Sequence, residues 1–179
     1  MKIILVTGVI GSGKDHYAEC YKAAHPDESV AIVHLAEPLR EIVENMFDVD
    51  DYTKWKSVPK NRKLMVDLGQ SIKKVFGQDF FMRRIVDAYN LELAVWFDRT
   101  LIIPDFRFPV EIKSLIERTL INPRKVSVVF CDYHSDRYES RPEQESEKMA
   151  LWLRERLKDG QEMLGDEFLK LISEYEGNV

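Results

Sequence analysis

Gly8, Gly13 and Lys14 stand in the spacing G-x-x-x-x-G-K, inside the stretch IILVTGVIGSGKDHYAE at residues 3–19. Glycines at those positions let a loop turn its backbone N–H groups inward around phosphate oxygens, and the lysine that follows reaches the outer phosphates. The stretch comes after an apolar run and opens a helical pattern, so a helix dipole also favours an anion there. Gly11, Ser12, Gly13, Lys14, Asp15 and His16 are therefore the candidate nucleotide-binding run, with Lys14 countering the charge that develops in phosphoryl transfer. The residue after such a lysine is ordinarily Ser or Thr, whose hydroxyl ligates magnesium; here it is Asp15. A carboxylate is a good hard-oxygen ligand, directly or through water, so Asp15 is a candidate metal ligand if the metal separates it from the phosphates.

A second chemical cluster lies in LIIPDFRFPVE at residues 101–111. Asp105 follows an apolar strand, the place from which a phosphate-loop enzyme holds magnesium through a carboxylate. Arg107 can clamp a phosphate bidentately, and Glu111 is placed to orient Arg107. The four histidines, His16, His25, His34 and His134, have no metal-ligand spacing and none is assigned to catalysis.

The elements that position these groups follow from periodicity. Residues 2–8, 29–36, 99–105 and 125–132 are continuous apolar runs, as expected of strands buried on both faces. Helical patterns cover 14–25, 37–49, 62–77, 78–97 and 109–120, and the tail from 148 to about 176 reads as helix, which leaves a fifth strand without a signal. Residues 48–61 are polar apart from Trp55 and read as a surface excursion, and 133–147 as a charged loop. Strands alternating with helices predict an α/β fold with a central parallel sheet. Such a sheet carries its functional loops at the carboxyl ends of the strands, where Gly8–Lys14, Glu37, Asp105 and Asp132 all fall.

With those residues in view, the chain resembles the deoxynucleoside monophosphate kinases encoded by bacteriophages, relatives of the P-loop nucleoside-phosphate kinases. GVIGSGKD is similar to that family's phosphate loop, which commonly carries Asp after Lys. LAEPLRE (35–41) is similar to its second-strand motif, and RKLMVDLGQSIKKVFGQDFF (62–81) to its Arg-led helix with a central Leu-Gly and a Gly-x-Asp before an aromatic. PDFRFPVE resembles its Asp-x-Arg-Phe segment, and ESEK (145–148) its Ser-Glu pair after the lid. The chain departs from the pattern at His16, where the family usually has Thr or another small residue, and in its C-terminal third, which lacks a clear apolar strand.

The resemblance implies a P-loop NTPase fold in a single domain over 1–179, with a helical acceptor-binding region at about 37–98 and a lid at about 133–147. It implies ATP and Mg2+ as cofactors, a deoxynucleoside monophosphate as acceptor, and the diphosphate as product. Arg62 and Arg107 are then the candidates for the acceptor phosphate, with Arg40 beside them or more distant. Arg137, or Arg141, would act from the lid on the transferring group. Gln70 is a candidate for a base edge, and Trp55, Phe80 and Phe81 for its face, although aromatics at helical positions such as Phe80 and Phe81 read as core. Two other readings compete. A phosphomevalonate kinase also carries Gly-Lys-Asp and a Ser-Glu pair, but the Arg-led Leu-Gly helix favours the nucleotide kinase. A non-catalytic nucleotide switch does not need the arginines at 40, 62, 107 and 137, and a guanine switch would want an Asn-Lys-x-Asp base reader that the sequence lacks.

Composition is compatible with this picture. The 179 residues are 45% hydrophobic and 32% charged, the balance of a globular domain able to bury a core. A net charge of −5 argues against coating polymeric nucleic acid, while leaving room for local positive charge around a small anion. Cys20 and Cys131 are too few for a disulfide framework and read as reduced thiols. The apolar start is too short for a membrane span and has no small-residue cleavage site, so the expected location is cytoplasmic, the host's if the chain is phage-encoded. A homodimer through a helical face is compatible with the sequence, and no apolar stripe marks one.

Overall fold

The computed structural model describes residues 1–92, 99–119, 121–133 and 145–177. The first strand, β1 (Lys2–Thr7), is the centre of a five-stranded sheet. It lies between β3 (Arg99–Ile103) and β4 (Val126–Phe130), parallel to both, with Ile4 opposite Ile102 on one side and opposite Ser127 on the other. β2 (Ser29–Ile32) pairs in parallel with the outer side of β3, and β5 (Glu162–Leu164) pairs antiparallel with β4, giving the order β2-β3-β1-β4-β5. This is the expected α/β architecture, a mostly parallel central sheet with helices on both faces.

Alternation along the strands divides the core in two. Ile3 and Leu5 of β1 join Leu101, Ile103, Val126, Val128 and Phe130 on one face. There they pack beneath α2 (Glu37–Phe47), α4 (Pro59–Phe76), α5 (Phe80–Glu92), α6 (Pro109–Thr119), α7 (Glu145–Arg154) and α8 (Gly165–Gly177). Ile4, Val6, Ile102 and Val129 face the other way, against Ala18, Tyr17 and Tyr21 of α1 (Lys14–Ala24). With both faces covered, β1, β3 and β4 are buried almost throughout, which is why they read as unbroken apolar runs.

Two signals inside the helices are explained by packing. The Leu-Gly of α4 marks the crossing with α2, where a Cβ on Gly69 would come 3.1 Å from Leu39 Cδ1. The Asp of Gly-x-Asp, Asp79, ties α5 to α6: its carboxylate accepts the Ser114 hydroxyl at 3.0 Å and faces Arg83 and Arg118.

Three expectations are corrected. β2 ends at Ile32 and is only half-buried, because it is an edge strand with one neighbour; Val33–Ala36 form the turn into α2. Residues 48–61 are ordered into a short helix, α3 (Tyr52–Ser57), before α4 begins at Pro59. The Asp51 carboxylate caps α3 by accepting the Lys54 amide, and Trp55 stacks between Phe47 and Tyr52. The tail is two helices, not one. After α7 the chain turns through Gly160 at φ 71, whose amide donates to the Phe130 carbonyl at 2.8 Å, and this bond feeds β5 along the edge of β4. Three residues are too few to show a strand pattern in sequence. No helix among the described residues is long and apolar enough to cross a membrane.

Candidate phosphate-binding site

β1, β3 and β4 run parallel, so the loops after them open at one edge of the sheet. The loop after β1 is built around its glycines. Gly8, Gly11 and Gly13 have φ of 146, 77 and 85, the half of conformational space that side chains disfavour. A Cβ on Gly8 would stand 2.1 Å from the Cys131 carbonyl oxygen, so the loop cannot cross the end of β4 with any other residue there. The first bond of α1 runs from the Tyr17 amide to the Gly13 carbonyl at 2.8 Å. The amides of Lys14, Asp15 and His16 therefore belong to the open first turn, the part of a helix that receives anions.

Lys14 is folded back on this loop. Its Nζ donates to the carbonyls of Gly8 at 2.8 Å and Val9 at 2.7 Å, and lies 3.4 Å from Ser12 Oγ. Burial, and then the nearby Arg107 guanidinium, lower its pKa to about 8, against the opposing pull of Asp15 and Glu147. The apex of the loop is held from the opposite direction, where the Ile10 amide donates to Glu147 Oε1 at 2.9 Å. Glu147 is 1% exposed in the first turn of α7.

Across the mouth, Asp105 follows β3 and both its oxygens are engaged: Oδ1 accepts the Leu35 amide at 2.8 Å and Oδ2 the Ala36 amide at 2.9 Å. It thereby fixes the turn that starts α2. Two residues on, the chain is held by Glu111, whose Oε2 accepts the amides of Arg107 at 2.9 Å and Phe108 at 3.0 Å. Glu111 orients Arg107 through the backbone.

Of the predicted cations, Arg107 is near enough to act electrostatically on Lys14 and on Lys56, and Arg62 on Lys56. Partial desolvation, then the charges of Arg107 and Arg62, lower the Lys56 pKa, while Asp15 and Asp105 oppose the shift. Asp15 is turned outward, its side chain 81% exposed, with His34 Nδ1 3.8 Å away. The phosphate loop with Lys14 and Asp15, and Asp105 with Arg107, thus follow strands at one edge of the sheet, and Lys56 of α3 feels the charges of Asp15, Asp105, Arg107 and Arg62.

No family model matches the sequence, and no curated protein matches it. Solved structures do. A mutant of the APS kinase CysC from Mycobacterium tuberculosis is 14% identical, with a TM-score of 0.38, over 86% of this chain and 95% of that one. A structure of the Pnkp1/Rnl/Hen1 complex is 9% identical, with a TM-score of 0.40, over 91% of this chain and 45% of that one. The Pnkp1/Rnl/Hen1 RNA repair complex is 10% identical, with a TM-score of 0.39, over 92% and 48%. The chain spans about half the length of the chains matched in those two complexes.

Other candidates stand apart from the cluster. Arg40 pairs with Glu44 at 2.8 Å and Glu37 at 3.7 Å and lies over the Tyr52 ring, so α2 and α3 supply its partners. Gln70 is exposed on α4. The His16 imidazole turns along α1 to within 3.4 Å of Cys20 Sγ, leaving its backbone amide as its contribution to the loop. Phe81 is core, and Phe80 and Trp55 pack against it. Asp132 accepts from Arg154 Nε at 2.9 Å. Arg137 and Arg141 lie outside the described residues, as does most of the 133–147 segment.

The sequence does not single out Lys56 or Glu147 as parts of the site. Lys56 sits in a polar stretch whose helix the sequence does not signal. Glu147 was visible only as half of a Ser-Glu pair. Among the described residues no group of three or more His, Cys, Asp or Glu side chains is arranged to hold a metal alone.

Proposed function

We propose that the protein transfers the γ-phosphoryl group of ATP to a deoxynucleoside 5′-monophosphate, giving the diphosphate. The observation that carries the reading is the gathering of Lys56, Arg62 and Arg107 beside a glycine-built phosphate loop. One polyphosphate is served by the loop amides and Lys14; the further cations suit a second anionic substrate facing it. The resemblance of its motifs to those of the phage-type nucleotide kinases supports a deoxynucleoside monophosphate as that substrate.

Phosphoryl transfer needs alignment and charge compensation more than covalent help. The amides of Gly11–His16 hold the donor phosphates, and Lys14 exchanges its bonds to the Gly8 and Val9 carbonyls for the outer phosphates. Arg62 and Arg107 hold the acceptor phosphate in line, with Lys56 adding charge. Gln70 and Arg40 are assigned to the acceptor, and Arg137 to the transferring group, on the resemblance alone. The donor set fits magnesium held jointly with phosphate and water, because Asp15 offers an exposed carboxylate and no all-protein cage is needed. Asp105 retains further lone pairs beside its two amide bonds and is the second candidate. Bound there, a magnesium ion would supply positive charge to offset the negative charge of the phosphates.

The test is ADP release in a coupled assay with ATP, magnesium and each deoxynucleoside monophosphate in turn. At least one should accelerate ADP formation strongly over ATP alone. Acceleration by phosphomevalonate only, or by no acceptor, overturns the reading.

A further inference from the structure

Lys73 and Glu111 form an ion pair buried between α4 and α6, with 13% and 3% of their side chains exposed and Nζ 3.2 Å from Oε1. The ammonium also lies 3.7 Å from the centre of the Phe108 ring and 5.8 Å from that of Phe81. The second oxygen of Glu111 accepts the two successive amides of Arg107 and Phe108. Lys73 thus touches the Arg107 loop twice, through the carboxylate that holds its backbone and through the aromatic ring beside it. Lys73 also shares α4 with Arg62, the other cation assigned to the acceptor.

We infer that Lys73 is a positioning residue for the acceptor phosphate, locking the Arg107 loop to α4 so that Arg107 and Arg62 are presented as one rigid pair. The inference rests on the acceptor role of Arg107 given above. A buried carboxylate whose counter-charge is removed is strongly disfavoured. Burial already pushes the Glu111 carboxyl up, with Lys73 the largest opposing influence. Losing Lys73 would therefore turn a charged acceptor of two N–H bonds into a neutral one and weaken both bonds. An arginine preserves the charge and the contact with the rings, whereas a methionine fills the space without charge.

The experiment compares Lys73→Met and Lys73→Arg with wild type, and uses Lys73→Gln in place of the methionine variant should that one fail to fold. Amide exchange followed by NMR reads the loop directly, and steady-state kinetics reads the acceptor. In the uncharged variant the Arg107 and Phe108 amides should exchange about tenfold faster while those of β1 keep their protection. KM for the monophosphate should rise about tenfold with KM for ATP within about twofold, and Lys73→Arg should recover most of both effects. Unchanged protection of the two amides overturns the inference, and so does faster exchange with an unchanged acceptor KM. Equal rises in both KM values would mark a general structural role and also overturn it. Should wild type turn over no monophosphate, the functional reading falls, and the exchange measurement alone decides whether Lys73 holds the loop.

Discussion

The carboxylate of Glu147 accepts the backbone amide of Ile10 at 2.9 Å, joining the apex of the phosphate loop to a helix that begins more than a hundred residues later. The other side of the same apex is held by Lys14, through the carbonyls of Gly8 and Val9. The loop's curvature is therefore held by contacts within the chain, from one buried anion and one half-buried cation. Preorganised donors stabilise an incoming charge without the cost of ordering them at the moment of binding.

Glu147→Ala should leave the Ile10 amide unpaired in a partly buried setting, at a cost of about 1 kcal/mol. The expected result is a lower melting temperature together with about tenfold weaker binding of a non-hydrolysable ATP analogue, read by calorimetry. Glu147→Gln retains an oxygen acceptor and should bind the analogue more tightly than the alanine variant. Equal affinity in the two variants would show that the Ile10 bond does not shape the nucleotide site.

Asp105→Ala removes both bonds that fix the turn into α2 and should destabilise the protein by about 2–4 kcal/mol, measured by urea unfolding. Asp105→Asn keeps one acceptor oxygen and should lose about half as much. The same variants separate positioning from metal binding. If the half-saturating magnesium concentration for ATP turnover is unchanged in the asparagine variant, Asp105 acts on the turn alone; a several-fold rise assigns it to the metal.

How much of this was readable in the sequence depends on the range of the interaction. The phosphate loop was legible because backbone geometry demands glycine at Gly8 and Gly13 and a lysine directly after, all within one turn of chain. β1, β3 and β4 were legible because burial on both faces leaves them without polar positions. Glu111 lies only four residues beyond Arg107 at the start of the next helix, so a contact between the two is legible, and its carboxylate accepts the Arg107 backbone amide. By contrast, the partners of Asp105 at Leu35 and Ala36 are about seventy residues distant. Nothing local distinguishes a carboxylate that will accept two amides from one that will hold a metal. Lys56 was invisible for a different reason: α3 is a single short helix in a polar stretch, with too few residues for periodicity to register. Arg40 is the reverse case: offered as an acceptor contact by the resemblance, it is paired in the structure with Glu37 and Glu44 of its own helix, at the i−3 and i+4 spacings that bring such pairs together.

The state of Lys14 gives a pH dependence with a definite sign. Its pKa in the unliganded protein is lowered to about 8 by burial and by Arg107. A bound triphosphate brings negative charge against the ammonium and raises that pKa. Well below pH 8 Lys14 is protonated in both states, and binding exchanges no proton at this group. Above pH 8 the free protein has lost a proton that the complex keeps, so binding takes up as much as one proton and affinity falls as pH rises. Calorimetric titration with the ATP analogue in two buffers of different ionisation heat should show that uptake at pH 9 and little of it at pH 6.5. Lys14→Met should bind more weakly at both pH values and lose the difference between them.

Asp15 sits in the first turn of α1, its side chain 81% exposed and His34 Nδ1 3.8 Å from its Oδ1. Nothing buries this carboxylate, and the nearest amides, its own and those beside it, are the ones assigned to phosphate. A negative group there repels an uncomplexed triphosphate and attracts one that carries magnesium, so the two forms of ATP are discriminated at a single residue. The wild-type protein should therefore bind ATP with a steeper dependence on magnesium than Asp15→Ser, in which the repulsion is gone and a hydroxyl ligand remains. In the presence of a chelator the serine variant should bind ATP more tightly than wild type, by about three- to tenfold for a partly screened charge of this exposure. Titrations at several magnesium concentrations measure both quantities. Parallel curves for the two proteins would remove Asp15 from the metal site and leave it a surface carboxylate beside His34.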